Sequence, residues 1–219
     1  TCCSGWSACA AAVLSSGILN GQTVWSKSII KGESSRLLSV EQTIDGGYIA
    51  AGYDYDYDSW TTNYEYSTYI LRTDYQGNTL WTDYLSQGGE STSISQTTDG
   101  EFIYNYNWRQ SSGFNGNPSE YASGAALRKI DTTGSTKWYK SYLGHNSFGP
   151  LITGVADWSN GVKQTLDGGY CMIGIDGTSP FLFKTNSMGD SSWAHTFNYQ
   201  NGRIESFQQT SDSGFILAG

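Results

Sequence analysis

Charge is what this chain has least of. Only 15% of its 219 residues are charged, 12 Lys or Arg against 20 Asp or Glu, for a net charge of −8. No basic run is visible, so nucleic acid and anionic membrane surfaces are poor partners. No apolar stretch is long enough to cross a membrane as a helix. No signal peptide opens the chain, which is therefore expected to be a mature form or an excerpt. Helical periodicity is absent. So are the common catalytic signatures: there is no nucleophile elbow, no phosphate-cradling glycine loop and no His-Glu-x-x-His pair. The two histidines, His145 and His195, fall in different parts of the repeat described next and lack metal-ligand spacing. These absences point to a protein that binds and does not catalyse.

Aromatic residues and glycine are abundant instead. The chain carries 16 Tyr, 8 Trp and 27 Gly, a profile of all-β, turn-rich and often extracellular proteins. Its length suits one sizeable domain. A repeat organises it. Trp25, Trp81, Trp138 and Trp193 each follow a glycine by four, namely Gly21, Gly77, Gly134 and Gly189. Downstream of each Trp comes Gln-Thr-x-Asp, at Gln42 to Asp45, Gln96 to Asp99, Gln164 to Asp167 and Gln209 to Asp212. Each unit of about 55 residues reads as four short antiparallel strands, the size and content of a propeller blade. The Asp-Gly step supplies the hairpin turn between the first two strands. Asp45, Asp99, Asp167 and Asp212 are accordingly read as turn residues and not as catalytic carboxylates. Arg72, Lys129 and Lys184 form a structural column two positions before the next turn. The repeat tryptophans are read as core.

The last repeat stops after two strands, and the first residues supply only a third and a fourth. The expected fold is therefore an all-β propeller of four blades of four antiparallel strands, the closing blade shared by the N- and C-terminal strands. Such closure removes exposed sheet edges. Residues 1–9 form a Cys-containing extension and residues 10–219 the single propeller domain. The phrase Gln-Thr-x-Asp-Gly-Gly-Tyr-Ile, a strand ending in Asp and then Gly-x-x-x-Trp together resemble the β-propeller repeats of secreted microbial surface proteins. That resemblance covers nearly the whole chain and implies extracellular binding, adhesion or scaffolding. Glu101 and Ser213 depart from it, standing where glycines are expected.

Strand alternation sends the second-to-third loops and the blade-to-blade connections to one face, and all long insertions belong to that face: 53–67, 107–124 and 143–160. Trp60, Trp108 and Trp158 lie in them. With Tyr55, Tyr57, Asn107 and Arg109 they have the makings of a carbohydrate site, flat aromatic faces with polar partners for hydroxyls. Packing of the loops on one another is the plainer alternative. Asp54, Asp56, Asp58 and Glu65 fall at positions one, three, five and twelve of an EF-hand-like loop and are candidate Ca²⁺ ligands. Against this, Ser59 occupies the glycine position, and the same residues also read as a strand of period two. Cys2, Cys3, Cys9 and Cys171 are the disulfide candidates, with Cys171 in an apolar column that suits a buried thiol. An oxidising compartment fits the composition.

The expectation is a secreted or cell-surface binding protein, with a glycan or surface protein as partner, no nucleic acid and no membrane insertion. A subunit of an extracellular filament or coat is the alternative, and a glycoside hydrolase the second alternative.

Overall fold

The computed structural model describes residues 12–15, 26–29, 35–58, 63–85, 89–111, 121–143, 158–176, 179–199 and 202–219. All elements among them are β-strands, as expected. They are β1 (Ala12–Ser15), β2 (Ser26–Ile29), β3 (Ser35–Gln42), β4 (Tyr48–Asp58), β5 (Asn63–Thr73) and β6 (Thr79–Leu85). Then come β7 (Glu90–Gln96), β8 (Phe102–Ser111), β9 (Tyr121–Ile130), β10 (Thr136–Leu143), β11 (Trp158–Gln164) and β12 (Tyr170–Asp176). The last are β13 (Ser179–Thr185), β14 (Ser191–Thr196), β15 (Ser206–Gln209) and β16 (Phe215–Ala218).

The strands pair with their sequence neighbours into three four-stranded antiparallel sheets, β3 to β6, β7 to β10 and β11 to β14. The four strands expected to share a closing blade form two separate two-stranded sheets, β1 with β2 and β15 with β16. The chain, read as one domain from its sequence, divides into two compact units, Thr1–Glu90 and Ser91–Gly219.

The described tight turns share one backbone pattern. In the third sheet, Thr165 N donates to Gly169 O at 2.9 Å, and Gly168 N returns to Thr165 O at 2.9 Å. Gly168 sits at φ 79°, a conformation that costs L side chains energy and glycine none. Asp167 accepts at Oδ1 from the Thr165 hydroxyl at 2.6 Å and from Gly169 N at 3.1 Å. The turn at Asp45 repeats this set. At the fourth copy Ser213 stands in the glycine position and takes φ 70° itself. The turn residues were legible, but their second role was not. In the three four-stranded sheets the carboxylate of this turn also holds the cation of the third strand: Arg72 on Asp45 at 2.6 Å, Lys184 on Asp167 at 2.8 Å, and Lys129 on Asp99. The cations are buried, at 4%, 6% and 9% exposure for Arg72, Lys184 and Lys129, so each needs its partner. In the first and third copies the Gly after the turn glycine leaves room for this cation. A Cβ on Gly169 would lie 2.2 Å from Thr185 O and 2.5 Å from Lys184 Nζ. In the second copy Glu101 replaces it and becomes another carboxylate on Lys129, at 3.0 Å.

In the second unit, sheets stack through apolar faces. Val162 on β11 joins Ile103, Ala125 and Leu127 of the second sheet with Met172, Phe181 and Phe183 of the third in one buried cluster. Cys171, Ile173 and Leu182 on the opposite face of the third sheet meet Ile204 and Phe207. Burying each of these larger side chains is worth about 2 kcal/mol.

Of the repeat tryptophans, expected as core, Trp81 and Trp138 are half-buried, Trp193 is 42% exposed, and Trp25 lies outside the described residues. Trp81, Trp138 and Trp193 lie on the outermost strands β6, β10 and β14. Trp138 tilts against Tyr170 of the next sheet at 5.5 Å, and Trp193 meets Phe215 edge-on at 6.0 Å. The aromatic of the Asp-Gly-Gly-Tyr phrase is thus the seat for the preceding sheet's Trp. The motif's Gln is also a latch. Gln164 Nε2 donates to Gly168 O at 3.3 Å within its own turn, while its Oε1 accepts from Thr98 N of the previous sheet at 2.7 Å. Gln209 repeats this with Ser213 O and Leu166 N.

Candidate functional site

In each four-stranded sheet the tight turns occupy one end. The other end is where the insertions were expected, and they differ from loops. β4 and β5 run 11 residues each, against 8 for β3 and 7 for β6, and pair along their whole length. β8 and β9 are paired over 10 residues, from Phe102↔Ile130 to Ser111↔Tyr121. Much of 53–67 and 107–124 is therefore hairpin arm. The arms are stretches of alternating residues in which tyrosine and other β-formers keep the strand going past the sheet.

This settles the local geometry of the acidic stretch. Asp54, Asp56 and Asp58 occupy alternate positions of β4, and Glu65 pairs in register with Asp56. A strand rises roughly 3.3 Å per residue, which spreads Asp54 and Asp58 about 13 Å apart instead of curling them round one point. The described parts of the stretch, 54–58 and 63–65, are paired strand, and residues 59–62 between them lie outside the described residues. Asp54 is 4% exposed and accepts the Ser35 hydroxyl at 3.0 Å. Burial, and then the Asp54 charge, raise the Tyr69 hydroxyl above its ordinary pKa. Among the described residues no group of three or more His, Cys, Asp or Glu could hold a metal ion. The side chains of Asp56, Asp58 and Glu65, like those of Tyr55 and Tyr57, lie outside the described residues.

The second arm is better defined. Successive residues of β8 face opposite ways. Phe102, Tyr104, Tyr106 and Trp108 line one face, with Phe102 and Tyr104 buried and Tyr106 at 9% exposure. Trp108 is half-buried and lies over Gly124, where a Cβ would come within 3.0 Å of its ring. Its indole N–H is enclosed and has no acceptor among the described residues.

Ile103, Asn105 and Asn107 line the other face, toward β11. There Asn107 is 5% exposed and fully engaged with one residue. Its Nδ2 donates to Ser159 O at 3.1 Å, and its Oδ1 accepts from Ser159 N at 2.7 Å and Ser159 Oγ at 2.8 Å. Asn105, with no exposure, donates to Ser159 Oγ and to Thr92 Oγ1, both at 2.6 Å, while its Oδ1 has no partner. Thr92 Oγ1 donates to Ser159 O at 2.8 Å.

Two residues grouped by sequence proximity, Trp108 and Asn107, therefore face opposite sides of one strand, and the Asn107 amide is committed to holding β11. Through Ser159 it fixes the strand that begins with Trp158, whose side chain, like that of Arg109, lies outside the described residues. Trp60, His145, Cys2, Cys3 and Cys9 lie outside them altogether.

Sequence reading missed Asn105, Ser159 and Thr92. The signal was a broken column: Asn105 stands where the other copies carry Ala51, Ile173 and Ala218, and Ser159 where two others carry Leu37 and Ile204. Cys171 fits its apolar column. It is a free thiol with no exposure, pushed up to about 12 by burial, and it is thereby removed from the disulfide candidates.

No protein-family model matches the chain, and no curated protein does. Among solved structures, a protein of unknown function from Bacteroides caccae is similar at 13% identity and a TM-score of 0.54, over 94% of this chain and 63% of that one. Cobalt-substituted Synechocystis ACO is similar at 11% identity and a TM-score of 0.42, over 80% of this chain and 42% of that one. An ACO/RPE65 chimera is similar at 12% identity and a TM-score of 0.43, with the same coverage. The chain thus spans less than two thirds of each of these proteins. The first likeness bears on the fold alone.

The others correct the expectation of a protein that does not catalyse, because Synechocystis ACO is named an apocarotenoid oxygenase, an enzyme. Their low identities and TM-scores carry neither a reaction nor a residue to this chain.

Proposed function

We propose that the chain is an extracellular or cell-surface binding protein that takes carbohydrate on the aromatic arms of a β-propeller. In this reading the four-stranded sheets are blades, and the two-stranded pieces near each terminus make up a fourth. The observation that carries the reading is the contrast between the two ends of the sheets. One end is closed by turns that repeat a single hydrogen-bonded pattern. The other extends into paired arms rich in Tyr and Trp, with chain variation confined to that end.

The chemistry of the second arm supports a hydroxylic ligand. Trp108 is half-buried, which leaves part of its indole ring at the surface of the arm. Aromatic rings offer flat faces to the C–H surfaces of a pyranose. Asn107 and Ser159 act as braces, holding β11 and the start of the Trp158 strand against β8, so the surface is arranged before the ligand arrives.

A glycan array tests this. Binding is expected for the wild type and is expected to be lost in the combined Trp60→Ala, Trp108→Ala and Trp158→Ala variant. Binding that persists unchanged in that variant removes the proposal.

A further inference from the structure

Two columns of the repeat change character at the ends of the array. Two residues before each motif Gln stands an apolar side chain. Ile94, Val162 and Phe207 are 3%, 1% and 5% exposed, but Val40 is 54% exposed. Seven residues after the Gln, Ile49, Ile103 and Cys171 have no exposure, but Ile216 is 64% exposed.

The packing within the second unit shows what such positions contact. Val162 is buried against Ile103 of the preceding sheet, and Phe207 against Cys171 of the sheet before it. In both of these pairs the first column meets the second column of the sheet before it. Val40 and Ile216 are the two members of this series left uncovered, one of each kind, so their faces complement each other by the protein's own rule. Backbone pairing repeats the point. Among the described residues, β4, β8 and β12 each have a strand on both sides, whereas β16 pairs only with β15, and β1 only with β2.

We propose that a second copy of this chain covers these faces. β15 and β16 of one copy pair with β1 and β2 of the next and seat Ile216 against Val40, so that each junction completes one four-stranded sheet. The inference rests on the blade reading above. It adds that the junction is made between chains, head to tail, continuing the sheet-on-sheet contact already present in the second unit. A head-to-tail contact of this kind repeats without limit unless it closes on itself.

The test uses the full chain under reducing conditions, which keep N-terminal disulfides out of the result. Light scattering is read over a hundredfold concentration range for the wild type, for Val40→Glu and for Ile216→Glu. Each variant loses one face and keeps the other. The expected result is a wild-type mass rising above the monomer's 23.9 kDa with concentration, two monomeric variants, and a doubling of mass when the variants are mixed one to one.

A wild type that stays monomeric, with both variants unfolding at lower temperature, places the junction inside one chain. That outcome overturns this proposal and leaves the blade reading standing. A monomeric wild type with variants as stable as itself overturns both. Variants that assemble like the wild type show an association made elsewhere and overturn the proposal as well.

Discussion

Asp167→Asn isolates one charge from the turn that carries it. Asn keeps an oxygen for the Thr165 hydroxyl and the Gly169 amide but cannot neutralise Lys184. The ammonium is 6% exposed and bonds to both Asp167 oxygens, at 3.0 and 2.8 Å, and to Thr185 O at 2.8 Å. Stripping the partner from a fully buried ion pair costs about 3–5 kcal/mol. Here the Asp167 side chain is 65% exposed, so water replaces part of what is lost and about 1 kcal/mol is expected.

The pH dependence follows from the same contacts. The Lys184 ammonium, the Thr165 hydroxyl and the Gly169 amide hold the Asp167 carboxyl at about 2, against an ordinary 3.8. A carboxyl depressed on folding stabilises the fold above its unfolded value, and that contribution is lost as pH falls through its folded value. The unscreened shift would be worth about 2.4 kcal/mol, which solvent exposure again reduces to about 1 kcal/mol. Urea unfolding of wild type and Asp167→Asn should differ by about 1 kcal/mol at pH 7 and converge between pH 4 and pH 2. A difference that is absent at pH 7, or that persists undiminished at pH 2, refutes the ion-pair account of the turn.

Three further outcomes follow from the same geometry. Gln164→Ala removes one bond within its turn and one to Thr98 N of the neighbouring sheet. It should cost about 1–2 kcal/mol in urea unfolding, with Gln164→Glu, which keeps the acceptor, costing less. Gly169→Ala should destabilise more than Gly168→Ala. The first drives a Cβ to 2.2 Å from Thr185 O, whereas the second meets open space and only the left-handed backbone penalty of about 1 kcal/mol. Cys171, buried with its thiol raised to about 12, should resist alkylation in the folded protein and react only on unfolding, as read by peptide mass spectrometry.

Much of the architecture is legible in the sequence because the repeat places the same physics in the same column. Asp-Gly turns, small and apolar columns and the aromatic of each second strand all point to one strand order. What could not be read depends on direction and on neighbours. The repeat tryptophans look like core because Trp is large and recurrent, yet an outermost strand can only half-bury them against the next sheet. The stretch from Asp54 to Asp58 counts as a cation loop and equally as a strand, and its backbone pairing with β5 becomes visible only in the register. Asn107 and Trp108 are adjacent in sequence, and strand alternation turns them to opposite faces. Asn105 escaped notice because its role exists only when Ser159 of another sheet is beside it.

The account stands on one end of the sheets being a lock and the other a reading surface. Backbone amide shifts recorded while titrating the glycan selected by the array test this most directly. Shifts are expected along 103–111, 121–125 and 158–161, with the turns at 97–101, 131–135, 165–169 and 186–190 unmoved. Shifts gathered at those turns, with the arms silent, would contradict it.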